Sequence, residues 1–412
     1  MRHSLLPPCP RWCAALFLAA ICVTASALDL KPGRNPNLPA GAYTWDCYLP
    51  KAYFDNPQAT FPVFYLSSPE GTPAGFNNYG IDPWAERHGI IVIGINDSSN
   101  KASDETCRGA QKAVMETSDA ALRLHPALRY AMGTSGGGAR SVQLVGTAPE
   151  RFAGVFVNVH SAGPPAKHIA CVYVGGEADT VHAISAVRAA YESAKSNGNQ
   201  VRFVADPGDH NRAPRYGDNA VPYWNWLLFS TCTSHPKLTP ADITLGIARI
   251  NAELNDIAAV SDAATRLTRC ESLLDVPAIV ADKRVGASLF KTWSDTAMAA
   301  RQGGEPIVAH RLLTRVTEHP QFAKVDPKDG KALLAALKDL RKAEPVKSEW
   351  SALQAYRSLT QAEKKAGATK GALRDVAAAY MALATKFPAT ESGQAAKVAA
   401  RRVAARLEAK QP

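Results

Sequence analysis

Ser135 lies in the short motif of this chain that most clearly indicates chemistry. The motif, Gly133-Thr134-Ser135-Gly136-Gly137, has the form G-x-S-x-G. In a nucleophile elbow, glycines flank the serine because the sharp turn from strand to helix leaves no room for larger side chains. A strand pattern over 129–132 precedes the motif, and an apolar helical pattern over 139–145 follows it. An ordinary glycine-rich loop is the alternative, but this context favours a serine hydrolase with Ser135 as its nucleophile.

His210 is the candidate general base. A serine hydroxyl is a weak nucleophile until a base accepts its proton, and that base needs an acid to orient it. The chain has 10 histidines, and a lone histidine is more often a surface or packing residue. His210 differs because it follows a strand pattern over 201–205 and ends a Gly-Asp-His turn, which aims a side chain over the carboxyl edge of a sheet. We therefore predict that His210 accepts the proton of Ser135.

Asp179 is the candidate acid of the triad. It follows a strand pattern over 168–176. The chain order serine, aspartate, histidine is the order expected of α/β-hydrolases. Glu177 and Asp209 lie close enough to compete for the role, so they stay as alternatives. We predict that Asp179 holds the imidazole of the base in place.

Residues of about 44 to 230 resemble an α/β-hydrolase domain of the esterase or polyhydroxyalkanoate-depolymerase-like kind. Strand and helix patterns alternate along this region, which predicts an α/β fold with a mostly parallel sheet and helices on both faces. The resemblance implies a serine hydrolase that cleaves carboxylic esters through an acyl-enzyme. The supporting segments are strands at 61–67, 90–96 and 153–160 and helices at 79–88 and 105–125.

The expected oxyanion hole departs from the family pattern. Many relatives carry His-Gly after the strand over 61–66, whereas this chain has Ser67-Ser68-Pro69-Glu70-Gly71. We expect the backbone N–H of Gly136 to be one donor and Ser68 to supply the other, because Pro69 has no N–H. A degenerate hydrolase fold that acts as a non-catalytic binding or scaffold protein of the cell envelope is therefore the alternative function.

The spacing of the elements limits the substrate. Only Ser161–Lys167 separates His160 from the next strand pattern, so no lid domain fits there. An open site suits exposed, bulky or polymeric esters. The segment with Tyr223, Trp224 and Trp226 could form an aromatic rim, but a core helix is the favoured interpretation.

The first 27 residues predict a secretory signal peptide. Basic residues precede an apolar run over 12–23, and Ala25-Ser26-Ala27 fits a cleavage site. A lipid anchor on Cys22 is less favoured because a large residue precedes it. The mature chain is expected to start at Leu28, to be periplasmic or secreted, and to have no transmembrane segment.

The cysteines give no sign of a metal site. Five remain after the signal peptide, an odd number, so at least one is unpaired. We expect Cys171 to be a free apolar residue in a buried strand, and Cys232 could pair with Cys270 in an oxidising compartment. Their spacing has no CxxC zinc signature, so we predict no metal and no cofactor. The five are Cys47, Cys107, Cys171, Cys232 and Cys270.

The second half of the chain predicts an all-α region. The length of 412 residues exceeds what one hydrophobic core usually organises. Strand patterns stop near 235, so we expect a hydrolase domain over 28–235 and a helical region over 236–412. Residues 350–410 resemble a tetratricopeptide-type helical hairpin, but no strict 34-residue period exists, and an irregular helical bundle is the alternative.

Positive charge is concentrated at the C-terminal end. The whole chain has a net charge of +10, and residues 331–412 hold 16 Lys and Arg against 7 Asp and Glu. A solvated helical face is the simplest interpretation. An anionic envelope surface is a candidate partner for these basic helices, whereas nucleic acid is not expected because no binding motif is present.

Overall fold

A computed structural model describes residues 28–408, except 72–79, 207, 212–219, 320–326, 368 and several positions within 262–282. The predicted signal peptide over 1–27 and Cys270 lie outside the described residues. No helix in the described ranges is long and apolar enough to cross a membrane, and no group of three or more candidate metal ligands was found among those residues.

Eight strands form one sheet in the order β1-β2-β4-β3-β5-β6-β7-β8. Strands β3 to β8 run parallel, while β2 is antiparallel to both β1 and β4. The strands are β1 (Gly33–Ala40), β2 (Tyr43–Leu49), β3 (Phe61–Ser67), β4 (Ile91–Ile95), β5 (Leu124–Thr134), β6 (Gly154–Asn158), β7 (Ala170–Gly176) and β8 (Val201–Asp206). This arrangement is the α/β-hydrolase fold, as predicted.

The central strands form because their residues are apolar on both faces. Every residue of β3, β4, β6 and β7 is buried, as expected for parallel strands covered on both sides. Alternate side chains enter two different cores. Phe64 and Leu66 of β3 belong to one apolar cluster, and Val63 and Tyr65 belong to the other.

Helices cover each face of the sheet. Helices α2 and α6 contribute to the first cluster, and α1, α3, α4 and α5 contribute to the second. Trp224 and Trp226 of α6 are buried, which confirms that their segment is a core helix. The six helices are α1 (Lys51–Asp55), α2 (Asp82–His88), α3 (Asp104–Ala121), α4 (Gly136–Thr147), α5 (Ile184–Asn197) and α6 (Val221–Phe229).

Helices follow the sheet to the end of the described chain, as predicted. The first apolar cluster continues from the sheet through Trp293 and Leu313 to Val346, so these helices share the core of one sheet face. A separate cluster includes Tyr380 and Val403 near the end. The helices are α7 (Pro240–Ala259), α8 (Lys283–Gln302), α9 (Pro306–Glu318), α10 (Pro327–Leu340), α11 (Val346–Ala366), α12 (Lys370–Lys386) and α13 (Glu391–Glu408).

Two details of the sequence-based expectation were wrong. The helix expected over 105–125 ends at Ala121, because β5 already begins at Leu124. The thiol of Cys232 is free and buried, so the pairing that we considered for it is not formed. Cys171 is free inside β7, as expected.

Candidate active site

Ser135 sits on a strained turn between β5 and α4. Its backbone has φ 54° and ψ −127°, a conformation that non-glycine residues rarely adopt. Its N–H donates to the carbonyl oxygen of Asn158 at 2.8 Å, which ties the turn to β6. Close backbone contacts explain the flanking glycines: a Cβ on Gly133 would lie 2.2 Å from the Gly137 oxygen, and one on Gly137 would lie 2.3 Å from the Ser67 oxygen.

The structure brings the three predicted catalytic residues together. The Ser135 Oγ and His210 Nε2 atoms are 2.9 Å apart, and His210 Nδ1 is 2.9 Å from Asp179 Oδ2. These residues follow β5, β8 and β7, whose carboxyl ends meet at one edge of the parallel sheet. When the imidazole proton is on Nδ1, His210 donates to Asp179 and can accept from Ser135. This is the arrangement that activates a serine nucleophile.

Asp179 is held as a carboxylate by the loop after β7. Its side chain is fully buried, and its Oδ1 atom accepts hydrogen bonds from the backbone N–H groups of Val181 at 2.7 Å and His182 at 2.9 Å. Burial raises the pKa of Asp179, but the hydrogen bonds from His182, His210 and Val181 outweigh it and leave that pKa below its ordinary value. Asp179 is therefore a charged carboxylate where it contacts His210.

The two alternative acids lie elsewhere. Glu177 is exposed, and its backbone N–H donates to the Asp206 carbonyl oxygen. The carboxylate of Asp209 accepts from the backbone N–H of Asn211 at 2.9 Å. Asp179 is thus the carboxylate that contacts His210 through Nδ1.

Both candidate oxyanion donors lie at the elbow. Gly136 is the first residue of α4, and an N–H at that position has no acceptor within its own helix. Ser68 is buried, and its Cα lies 3.0 Å from where a Cβ on Gly137 would be. The Ser68 carbonyl accepts from the Gly71 N–H at 3.1 Å, so this short loop turns back beside the nucleophile. Its continuation over 72–79 lies outside the described residues.

A cavity of about 590 Å³ opens beside Ser135. Its wall is mostly polar, and Val181 at its edge is 64 % exposed. The amide of Asn100 lies against the first turn of α4, since a Cβ on Gly136 would be 1.8 Å from its Oδ1 atom. The lining residues are Asn100, Asp104, Ser135, Gly136, Ala139, Arg140, Gln143, His160, Val181 and His182.

Two further imidazoles, those of His160 and His182, lie beside His210. The ring centroids of His160 and His182 are 4.4 Å apart, and those of His182 and His210 are 5.6 Å apart. Burial lowers the pKa of His160 to about 4, with smaller contributions from His182 and His210. Val159, before His160, has φ 45°, an unfavourable conformation for a β-branched residue. His160 is therefore a neutral wall of the cavity.

Sequence reasoning missed these cavity residues, although a signal existed for some of them. His160 lies two residues after the end of β6, much as His210 comes shortly after β8, so the rule that selected His210 applied to His160 as well. Asn100 lies in the loop after β4. Arg140 and Gln143 lie on α4, and only the rotation of that helix relative to the sheet places them in the cavity.

Comparison with known proteins gives solved structures that are similar at low sequence identity. No family model and no curated protein matches the chain. A thermostable esterase is similar at 15% identity and a TM-score of 0.32, and the match covers 39% of this chain and 50% of that one. The chain therefore spans about half the length of that esterase.

For two other similar structures, the match with this chain covers most of their own length. A ferulic acid esterase has 15% identity and a TM-score of 0.35, with 44% of this chain and 90% of that chain covered. FphF, a fluorophosphonate-binding serine hydrolase of Staphylococcus aureus, has the same identity and TM-score, with 44% and 92% covered. The fold itself is defined by the strand order and the elbow described above.

Proposed function

We propose that this protein is a serine hydrolase that cleaves carboxylic esters through an acyl-enzyme. The observation that carries the proposal is the pair of 2.9 Å contacts that join Ser135 Oγ to His210 and His210 to the buried Asp179. A histidine with no catalytic role is not expected to form hydrogen bonds with both a serine in a strained conformation and a buried carboxylate. The same three side chains in this order provide nucleophile, base and orienting acid.

The reaction would begin at the elbow. As Ser135 Oγ attacks the carbonyl carbon of the ester, its proton passes to His210 Nε2, and Asp179 stabilises the imidazolium that results. The carbonyl oxygen becomes an oxyanion, for which the N–H of Gly136 is a preorganised donor at the N-terminus of α4. Ser68 is the proposed second donor.

The second half of the reaction would regenerate the serine. His210 returns its proton to the departing alcohol, and the acyl group stays on Ser135 Oγ. A water molecule then loses a proton to the same imidazole and attacks the acyl carbon. The bond between that carbon and Ser135 Oγ breaks, His210 returns the proton to Oγ, and the acid is released. The polar cavity next to the elbow is the proposed site of the ester, including bulky or polymeric esters.

Covalent labelling with a fluorophosphonate probe tests the proposal without knowledge of the substrate. We expect the wild-type protein and Ser196→Ala to be labelled, because Ser196 is an exposed serine on α5, and Ser135→Ala to remain unlabelled. Turnover of short-chain aryl esters should fall roughly 10³-fold or more in Ser135→Ala and in His210→Ala. Wild-type protein that neither reacts with the probe nor hydrolyses esters would favour a non-catalytic binding role instead.

Compartment and partners also belong to this proposal. The predicted signal peptide supports a periplasmic or secreted enzyme, and the basic C-terminal helices support contact with an anionic envelope surface. Detection of the protein in the periplasm or the medium, with a mature N-terminus at Leu28, tests the compartment.

A further inference from the structure

Arg140 is a cavity residue that the proposed mechanism does not use. It lies on α4, five residues after Ser135, and lines the cavity beside the nucleophile. Side chains of a helix lean toward its N-terminus, so Arg140 leans toward the end of the helix that holds Ser135. Its side chain is only 16 % exposed, which distinguishes it from a freely moving surface arginine.

One arm of the guanidinium is fixed by two neighbours. Arg140 Nη1 donates to Asp104 Oδ1 at 2.5 Å and to Gln143 Oε1 at 3.2 Å. Over the described part of the chain, no acceptor contacts its Nε or Nη2 atoms. A guanidinium has five N–H donors in a rigid plane, so Arg140 is held in one orientation with donors still available.

We infer that Arg140 is a specificity-determining residue that binds a carboxylate on the substrate. The preferred esters would carry an anionic group separated by a short spacer from the scissile carbonyl. Five residues span about 7.5 Å along a helix axis, which sets the scale of that spacer. This inference rests on the proposed function, because it concerns the same cavity and the same ester.

The residues that line the cavity favour a carboxylate as the group bound by Arg140. Arginine binds the two oxygens of a carboxylate in parallel through its fork of donors, and the guanidinium already binds one carboxylate, that of Asp104. Neutral polar groups make up much of the remaining wall, including the amide of Asn100 and the half-buried, neutral imidazole of His160. These groups can donate to further oxygens of an anionic substrate.

Asp104 is expected to oppose the substrate carboxylate. Its side chain is 64 % exposed, and its hydrogen bond with Arg140 lowers its pKa, so it stays negatively charged. An anionic ester therefore approaches a guanidinium that is partly neutralised. Removal of the Asp104 charge should increase the preference for anionic esters, whereas removal of the Arg140 charge should decrease it.

Matched ester pairs measure this preference. One pair is the acetate esters of 4-hydroxybenzoate and 4-hydroxybenzamide, which differ by a charge on the alcohol side. The other is the methyl monoesters of adipate and of its monoamide, which differ on the acyl side. The readout is the ratio of kcat/KM for the anion to kcat/KM for the amide, compared between variants, so that intrinsic reactivity cancels.

We expect Arg140→Gln to lower this ratio roughly 10- to 100-fold for at least one pair, the usual effect of losing a charge-assisted hydrogen bond. Arg140→Lys should restore part of it, and Asp104→Asn should raise it. Arg374→Gln is the matched control, because Arg374 is an exposed residue of α12, a helix that packs around the separate C-terminal cluster and does not line the cavity. That variant removes the same charge and should keep the wild-type ratio.

The outcomes separate the two proposals. If wild-type enzyme hydrolyses the neutral esters but Arg140→Gln leaves both ratios unchanged, or Arg374→Gln changes them equally, the inference about Arg140 is wrong and the ester hydrolase stands. If the wild-type protein hydrolyses none of the four esters and Ser135 does not react with fluorophosphonate, the proposed function itself fails.

Discussion

The helices after the sheet divide into two groups that differ in how they are attached. Helices α7 to α10 contribute to the apolar cluster that covers one face of the sheet, and only the start of α11 reaches it, through Val346. Helices α12 and α13, with the remainder of α11, surround a cluster of their own. We call residues 28–343 the catalytic body and residues 346–408 the C-terminal unit. Helices of similar composition therefore pack in two different ways: one group against the sheet, the other around its own core.

Charged contacts show the same contrast. In the catalytic body, Glu253 of α7 is fully buried, with Arg269 Nη2 at 2.7 Å and His88 Nε2 of α2 at 3.3 Å. At the C-terminal unit, Arg311 and Glu391 are 3.3 Å apart, with side chains 45% and 68% exposed. Buried charges depend strongly on their partners, whereas exposed pairs contribute little. The first group of helices therefore shares the core of the sheet, whereas the second is joined to it through the start of α11 and through exposed pairs such as Arg311 with Glu391.

Two truncated chains, ending at 235 and at Ala343, should show the largest difference in solubility and activity. A chain that ends at 235 loses the residues that cover the sheet face beyond α6, so it should expose a large apolar surface and fail to give soluble, active protein. A chain that ends at Ala343 keeps α7 to α10 and should retain its turnover of a small soluble ester. Circular dichroism, gel filtration and ester assays check both. Active enzyme from the shorter chain would contradict the shared core.

Within the active site, the two candidate acids should separate clearly. Asp179→Asn removes the charge that orients His210, and we expect turnover to fall on the order of 10²-fold or more. Glu177→Gln changes an exposed residue and should have little effect. Steady-state kinetics on an aryl ester measure both variants. A greater loss in Glu177→Gln would transfer the acid role to Glu177.

Removal of the buried charge at 253 should destabilise the catalytic body. Glu253→Gln removes the buried carboxylate between Arg269 and His88 and leaves Asp256 as the remaining carboxylate on Arg269. The loss of its charge-assisted hydrogen bonds should cost about 2 kcal/mol of unfolding free energy. Glu391→Gln is the exposed counterpart and should cost less than about 1 kcal/mol. Urea denaturation at neutral pH compares the two variants with wild type. An equal loss of unfolding free energy in the two variants would mean that the buried and exposed ion pairs do not differ in strength.

The pH dependence of stability gives an independent check on Glu253. Burial raises the pKa of this carboxyl, but hydrogen bonding with His88 and the charge of Arg269 outweigh it and lower the pKa from 4.5 to about 2. A carboxyl with a lower pKa in the folded state stabilises the protein above its unfolded pKa, and this contribution is lost as the pH falls. Wild type should therefore lose its advantage over Glu253→Gln between about pH 4.5 and pH 2.

The smallest expected effect concerns the surface of the C-terminal unit. Residues 346–408 hold 11 Lys and Arg against 5 Asp and Glu. We expect the full-length protein to be retained on anionic vesicles more than the chain ending at Ala343, and the retention to fall as salt rises from about 50 to 500 mM, because salt screens exposed charges. Lys397→Glu with Arg401→Glu should reduce it as well. Equal retention of both chains at low salt would leave these residues as ordinary solvated surface.

Local patterns in the sequence were sufficient for the central strands and the elbow. The apolar runs of β3 and β4 have few alternatives to a buried parallel strand, and the glycines around Ser135 are required by contacts within a few residues. Strand β1 has the sequence GRNPNLPA, which contains no run of apolar residues. It can still form a strand because it lies at the antiparallel edge of the sheet, where Pro, Asn and Gly are tolerated. It is held by antiparallel pairing with β2, which begins at Tyr43, just after β1 ends at Ala40, so this pairing defines the strand and an apolar pattern does not.

The rest of the site depends on the order of strands in the sheet. His160 and His182 contact each other because β6 and β7 are neighbours, and Arg140 meets Asp104 because α4 packs near α3. Likewise, the apolar stripes of α8 and α9 predict helices, but not that their core is continuous with the sheet. These relations join residues far apart in sequence, so periodicity alone could not reveal them.

The shared apolar cluster also determines how damage far from the active site would show itself. Trp293 of α8 is completely buried in that cluster, and a smaller residue there would weaken the whole folded unit rather than one helix. Fewer molecules would then be folded at any moment, while each folded molecule would still turn over its ester at the normal rate. An assay of total activity would record such a variant as a poor catalyst. Titration of reactive serines would show instead that fewer molecules are folded and that each of them has normal activity.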